Sequence, residues 1–451
     1  ALSHITFRCR AALSPPDGCL PILLIGINAF FPIILAVPLQ NLRCGGIIFI
    51  QEVYKMINGR YARLGKVRSV IRELFEYGNA RKAQIGEDKV FDFSLGNPSV
   101  PPPEELNAAI ADLIANTDAV TLHGYTSAQG AYDVRKSVAD YITKTFGATV
   151  DPDCIYMTCG AAAAITITLC ALCNAGDEVI TFVPYFPEYA VFSAQAGAKL
   201  VPVKTAEDTF SLDFGALRAS LTDKTKAVII NSPNNPAGIV YSAEEIQKLC
   251  DILAEHSRKI GQSVYLVSDE PYRELVYDGV EVPYVMNFYK NSIVCYSFSK
   301  SLSVPGERIG YIAVNGLAQD REDIYAAVCG AGRSLGYVCA PSLLQRLAAR
   351  LIGKTSDISA YKANRDRLCS ALESFGFSVV KPQGAFYLFV KSPEADANAF
   401  AERAKKYELL LVPGDDFGCK GYVRIAYCVS ADMIERSLPA FRALAESYKN
   451  G

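Results

Sequence analysis

From Met56 onward, apolar runs of strand length alternate along the chain with segments of helical period. Seven runs have the length and the turn-bounded setting of strands: Ile155–Thr158, Glu178–Phe182, Lys199–Val203, Ala227–Asn231, Val264–Ser268, Ile293–Phe298 and Ile309–Val314. Helical segments fall between several of them. One opens on Ser242-Ala-Glu-Glu245, a capping-box pattern, and then sets Ile246, Leu249 and Leu253 on one face. Another follows Gly160 through AAAAITITLCALC, and a third places Leu106, Ile110, Leu113 and Ile114 after the proline cluster Pro101–Pro103. This alternation predicts an α/β fold with a mostly parallel central sheet. A second texture begins near Pro341, where helices are followed by the strand-like GAFYLFV and GYVRIAYCV. The pattern divides into a large domain near 104–338 and a smaller α+β domain built from both flanks, 56–103 and 339–451.

The residues before Met56 depart from this pattern. No residue between Gly18 and Leu42 is charged, and LPILLIGINAFFPIILAVPL is long enough to cross a bilayer. Arg8 and Arg10 precede it, as they would precede a signal anchor. Against that, Pro21, Asn28, Pro32 and Pro38 interrupt the run, and Met56 is the first methionine. Residues 1–55 are read as an apolar extension outside the fold, from translated upstream sequence or an erroneous start. A membrane anchor over 18–42 and a cleaved targeting segment are the alternatives.

Composition narrows the function classes. The chain has 451 residues, half of them hydrophobic, and a net charge of −2, so no basic excess is present to hold nucleic acid. His4, His123 and His256 are far apart and the 14 cysteines show no paired zinc spacing, so no metal site is expected. The single CxxC, Cys170-Ala-Leu-Cys173, lies in an apolar helical run and reads as core packing. Scattered free thiols suit a reducing, cytoplasmic setting.

In a parallel α/β sheet, ligands sit outside the carboxyl ends of the strands. After Ile155–Thr158 comes Cys159-Gly160-Ala161-Ala162, where small residues let the N–H groups of a helix start approach an anion. After the strand ending near Asn231, a proline-stiffened loop presents Asn235 as both donor and acceptor. The next strand end carries Asp269-Glu-Pro-Tyr272, a buried carboxylate in need of a partner. The last carries Ser297-Phe-Ser299-Lys300 and then Arg308. A buried amine tends to shed its proton unless paired. An anion seat, an amide, a carboxylate with a phenol, and an amine with hydroxyls and a guanidinium suit one small molecule, a phosphorylated pyridine aldehyde. Lys300 would join the aldehyde as a Schiff base, Asp269 would keep the ring nitrogen protonated, and Asn235 and Tyr272 would bond the ring oxygen. Ser297, Ser299, Arg308 and the turn at Gly160, Ala161 and Ala162 would hold the phosphate.

That order and spacing resemble the fold-type-I pyridoxal-phosphate-dependent aminotransferases of class I/II, the aspartate aminotransferase superfamily. The resemblance runs from about Met56 to the end. Its most specific element is Ser-x-Ser-Lys followed by Gly-x-Arg-x-Gly at Gly306, Arg308 and Gly310; Asn-Pro-x-Gly at Asn235–Gly238 and Asp-x-x-Tyr at Asp269–Tyr272 follow the family's order. The resemblance implies the type I fold, pyridoxal 5′-phosphate as cofactor, and ping-pong exchange between an L-amino acid and a 2-oxo acid. It implies that Gly96, in SLGNPSVPPP, approaches the substrate by its backbone. Tyr125, in HGYTSAQG, would reach the phosphate of a neighbouring subunit in a homodimer, and Arg424, in GYVRIAY, would clamp the substrate α-carboxylate. In PYFPEY the alignment points to Phe186 as the ring that stacks on the pyridine, with Tyr185 as competitor; family members often have Trp there, and this chain has none. Ala161 and Ala162 stand where the family often places Gly, Ser or Thr, so backbone N–H groups remain for an anion but a side-chain hydroxyl contact to phosphate is lost. An aspartate/2-oxoglutarate pair is the favoured substrate reading; Arg135 and Arg333 are cations that would either meet a dicarboxylate or form surface or interface pairs. A carbon–sulfur β-lyase on the same scaffold is the alternative chemistry.

Overall fold

The computed structural model describes residues 57–66 and 69–449. The extension read over 1–55, including the anchor reading of 18–42, lies outside the described residues. Among the described residues no helix is long and apolar enough to cross a membrane. Residues 57–66 hold one short helix, Gly59–Lys66.

The strands begin with the two-residue β1 (Phe91–Asp92). Seven follow: β2 (Ile155–Thr158), β3 (Glu178–Phe182), β4 (Lys199–Val203), β5 (Thr225–Asn231), β6 (Tyr265–Asp269), β7 (Ser292–Ser297) and β8 (Gly310–Val314). The last five are β9 (Ser378–Val380), β10 (Tyr387–Lys391), β11 (Leu409–Leu410), β12 (Val412–Pro413) and β13 (Tyr422–Ala426). Strands β2 to β8 form one sheet in the order β2-β8-β7-β6-β5-β3-β4. Only β8 runs against its neighbours, so the sheet is mostly parallel, as the pattern predicts. Strands β6, β7 and β8 are buried along their whole length, as a sheet covered on both faces requires. At the edge lies β4, where Pro202 removes no hydrogen bond that a central strand would need.

Around this sheet packs one apolar core; a second surrounds the antiparallel sheet β12-β13-β10-β9, with Phe93, Tyr361, Leu368, Phe386 and Phe441. β1 pairs in parallel with β11, which ties the chain before the large sheet to the chain after it. The expected helix after Gly160 runs Ala161–Leu172. The helix Ala243–Ile260 carries the capping box read from Ser242 and Glu245. The helix Glu105–Asn116 departs in one respect. Leu106 and Leu113 are buried, but Ile114 is 58% exposed, because successive helical residues point about 100° apart.

Candidate active site

Register in the large sheet assembles the site. Asn231 pairs with Asp269, Asp269 with Cys295, Ser297 with Gly310, and Gly310 with Thr158. The chemistry-bearing strand ends therefore stand side by side in one row, and Arg308 joins them just before β8.

At one end of the row is a seat for an anion. Gly160 precedes the helix Ala161–Leu172 with φ 82°. A Cβ there would lie 2.9 Å from Arg308 Nη2, so the bare glycine lets the guanidinium close on the helix start. Arg308 donates through Nη1 to Ser299 Oγ (3.5 Å) and Pro305 O (2.9 Å) and through Nη2 to Cys159 O (3.4 Å). Ser297 Oγ donates to Ser299 Oγ (2.8 Å) and accepts from Ser299 N (3.2 Å). Two hydroxyls, a guanidinium and the first N–H groups of a helix thus converge.

At the floor, Asp269 is buried and accepts from the Tyr189 hydroxyl through Oδ2 (2.5 Å), while its Oδ1 has no partner. Burial raises its carboxyl to about 7; the Tyr189 bond lowers it and the neighbouring Glu270 raises it further. Asn231 braces the next loop by donating from Nδ2 to Asp269 O (2.9 Å) and accepting at Oδ1 from Asn235 N (2.7 Å). Lys300 Nζ donates to Gly96 O (2.6 Å) and stands 5.4 Å from the centre of the Phe386 ring. Burial brings its amine down to about 8; Cys428 opposes the shift, and the cations of Arg308 and Arg424 reinforce it.

Arg424, on β13, is 2% exposed. It donates to Asn235 Oδ1 (3.1 Å) and Ser94 O (2.6 Å), and its Nε has no partner. Its guanidinium lies between the rings of Tyr387 (4.6 Å) and Phe417 (5.0 Å). Burial lowers its pKa, with the Tyr387 and Tyr272 phenols opposing. Tyr272 and Tyr387 share a hydroxyl–hydroxyl bond of 2.9 Å. The backbone at Gly96 passes so close that a Cβ would sit 1.9 Å from the Tyr387 oxygen.

Phe186 meets Tyr189 edge-on at 5.8 Å, beside the acid that Tyr189 holds, whereas Tyr185 donates its N–H to Phe417 O (3.1 Å) and packs against Gly418. Tyr125 is 100% exposed, apart from these contacts. Arg135 is committed elsewhere: buried, it donates to Gly130 O (3.2 Å), Pro152 O and Asp153 Oδ1 (3.1 Å), which removes it as a substrate cation. Arg333 is exposed in the last turn of the helix Arg321–Ser334.

Tyr189, Tyr387, Asn231 and Phe417 were not singled out from the sequence. Tyr189 had a signal, since it closes the PYFPEY segment three residues after Phe186 at a helix start. The others had none that local spacing could supply.

These residues fit a phosphorylated pyridine aldehyde. The orphaned Asp269 Oδ1 suits a protonated ring nitrogen, the Gly160–Arg308 cradle suits a phosphate, and the buried amine of Lys300 suits an aldehyde.

Comparison with known proteins agrees. The family model described as aminotransferase class I and II matches residues 88–441. A probable aspartate aminotransferase of Methanocaldococcus jannaschii is 29% identical over 84% of this chain and 97% of its own length. An aromatic-amino-acid aminotransferase of Thermococcus litoralis is 28% identical over 84% of this chain and 96% of its own. The crystal structure of an aminotransferase from Eubacterium rectale superposes with a TM-score of 0.86 at 52% identity, covering 87% of this chain and 99% of that one. The chain belongs to the class I and II aminotransferase family, whose members use pyridoxal phosphate, and it is an aminotransferase with the type I fold.

Proposed function

We propose that the chain binds pyridoxal 5′-phosphate along the strand-end row and exchanges amino groups between an L-amino acid and a 2-oxo acid there. The observation that carries this reading is Asp269. A buried carboxylate oxygen without a partner is costly, and a protonated pyridine nitrogen is the donor it lacks. Ser297, Ser299, Arg308, Gly160 and the N–H groups of Ala161 and Ala162 hold the phosphate. Asn235 and Tyr272 bond the ring oxygen, and Phe186 stacks on the ring.

When bound, the cofactor supplies an electron sink for the charge left on the substrate α-carbon. Arg424, walled by Tyr387 and Phe417, binds the substrate carboxylate with the donors it does not spend on Asn235 and Ser94. Gly96 lends its backbone beside the substrate. Lys300, with an amine near 8, is partly neutral at neutral pH and moves the α-proton as general base and acid. Asp269 stays charged under a protonated ring, since an opposite charge in contact favours the ionised carboxylate.

The finer substrate reading is an aspartate/2-oxoglutarate pair, supported by the name of the Methanocaldococcus relative. No observation favours the β-lyase. The fully exposed Tyr125 supports a homodimer in which it reaches the neighbouring site. The free thiols of the described residues support a cytoplasmic location. Within residues 69–449, the separate cores around the large and small sheets support a division into a large domain near 104–338 and a small one built from both flanks.

Titrating the apoprotein with pyridoxal phosphate tests the reading. The wild type gains the visible band of a lysine-bound aldehyde and Lys300→Ala does not; a band retained in that variant removes Lys300 from the role.

A further inference from the structure

After β4 the chain makes a tight hairpin, closed by an antiparallel bridge between Thr205 and Leu212. Its tip is strained: Asp208 has φ 62° and Phe210 has φ 56°, a region that large side chains avoid. The Phe210 ring is buried, 5.5 Å from the ring of Phe389 on β10 and 5.3 Å from that of Tyr422 on β13. Those two rings stack on each other at 5.0 Å. Phe389 stands directly across the sheet from Arg424, and Tyr422 lies two residues before Arg424 on the same face. Phe389 also meets Phe417 at 6.3 Å, and Phe417 forms one wall of the Arg424 guanidinium. Polar contacts secure the tip and the base of the hairpin. Asp208 Oδ1 accepts from the Tyr422 hydroxyl (2.5 Å) and from Lys391 Nζ (2.9 Å). Thr205 Oγ1 donates to Val183 O (2.6 Å), two residues before the aromatic pair Tyr185 and Phe186.

We propose that Phe210 is a positioning residue for the substrate-carboxylate site: the hairpin wedges its ring against the stacked pair of Phe389 and Tyr422 and so holds the aromatic wall that aims Arg424. The inference rests on the reading of Arg424 as the carboxylate clamp. Arg424 has only two oxygen partners of its own, so the packed rings supply much of what fixes its plane. A clamp misplaced by a fraction of an ångström binds its carboxylate poorly even when every donor is present.

Two variants test it. Phe210→Gly removes the ring while accepting the backbone at φ 56°, so loss of the wedge is separated from loss of the turn. In it, KM for the amino donor should rise about tenfold, with kcat and the dissociation constant for pyridoxal phosphate within about twofold of wild type. Phe210→Leu keeps a smaller apolar wedge and should raise KM only about threefold. An unchanged KM in both variants overturns the proposal, and so does a matching fall of kcat and cofactor affinity, which would mark a general structural defect. Should the glycine variant fail to fold, an unchanged KM in Phe210→Leu alone overturns it. Arg424→Leu is run alongside: if that variant leaves KM unchanged, the carboxylate reading has failed and not the wedge.

Discussion

Two fully buried arginines in this molecule are treated in opposite ways. Arg365, 1% exposed on the helix Ile358–Phe375, donates to Asp366, Asp278 and Pro382 O, and lies over the ring of Tyr277. Burial alone would lower its pKa, but the two carboxylates overcome that and leave it raised. Arg424 has one amide oxygen and one carbonyl, an unpaired Nε and a lowered pKa. The first is a finished structural network; the second is a network left one anion short. Glu270 and Asp269 repeat the contrast on adjacent residues. Glu270 is saturated by Ser268 Oγ (2.8 Å) and Arg273 Nε, whereas Asp269 keeps a bare oxygen. Unsatisfied buried groups are rare in folded proteins, and two of those among the described residues, Asp269 Oδ1 and Arg424 Nε, stand where a ligand would complete them.

The contrast can be broken in order of expected effect. Arg424→Leu should lower kcat/KM by about 10³-fold, yet leave the melting temperature of the apoprotein unchanged or higher, because it removes a buried charge without a counter-ion. A drop in stability instead would erase the difference between the two arginines. Asp269→Asn should weaken pyridoxal phosphate by about 100-fold in a spectral titration, the loss of one buried charge pair.

The same variant carries a pH signature. Asp269 titrates near 7 when folded and near 4 when unfolded, so between those values the folded apoprotein holds a proton that the unfolded chain has released. Its contribution to stability is complete below about pH 4 and is lost as pH rises through 7. Thermal melts from pH 4.5 to 8.5 should show the wild-type apoprotein losing ground to Asp269→Asn; parallel curves would contradict the shift.

Arg365→Leu should behave in the reverse sense to Arg424→Leu, costing about 2–3 kcal/mol in denaturant unfolding with KM within about twofold of wild type. Phe186→Ala should weaken the cofactor about tenfold and Tyr185→Ala less; the opposite ranking would move the stacking role to Tyr185. The smallest effect concerns the phosphate turn, where Ala161→Ser restores a hydroxyl and should tighten cofactor binding about threefold.

Much of this was legible along the chain. The seven strands of the large sheet stand where the apolar runs predict, with ends moved by one or two residues, because each run is a local pattern. Lys300, Asp269, Asn235 and Arg308 were legible because Asp269 closes a strand, Asn235 and Lys300 follow strand ends by a few residues and Arg308 lies just before β8, and register brings these strand ends together. Whether Arg135 would meet a substrate or a structural partner was not legible, because nothing local showed that the carbonyls of Gly130 and Pro152 had already claimed it.

By itself, then, the sequence determined the element order, the mostly parallel sheet and the order of functional groups along its edge, since these depend on neighbours a few residues apart. Tertiary structure decided which groups would be left unsatisfied. Tyr189 reaches Asp269 across 80 residues, Lys300 reaches Gly96 across 204, and Arg424 reaches Ser94 across 330. Burial and partnership at such separations are properties of packing, and burial and partnership are what turn a lysine, an aspartate and an arginine into a site.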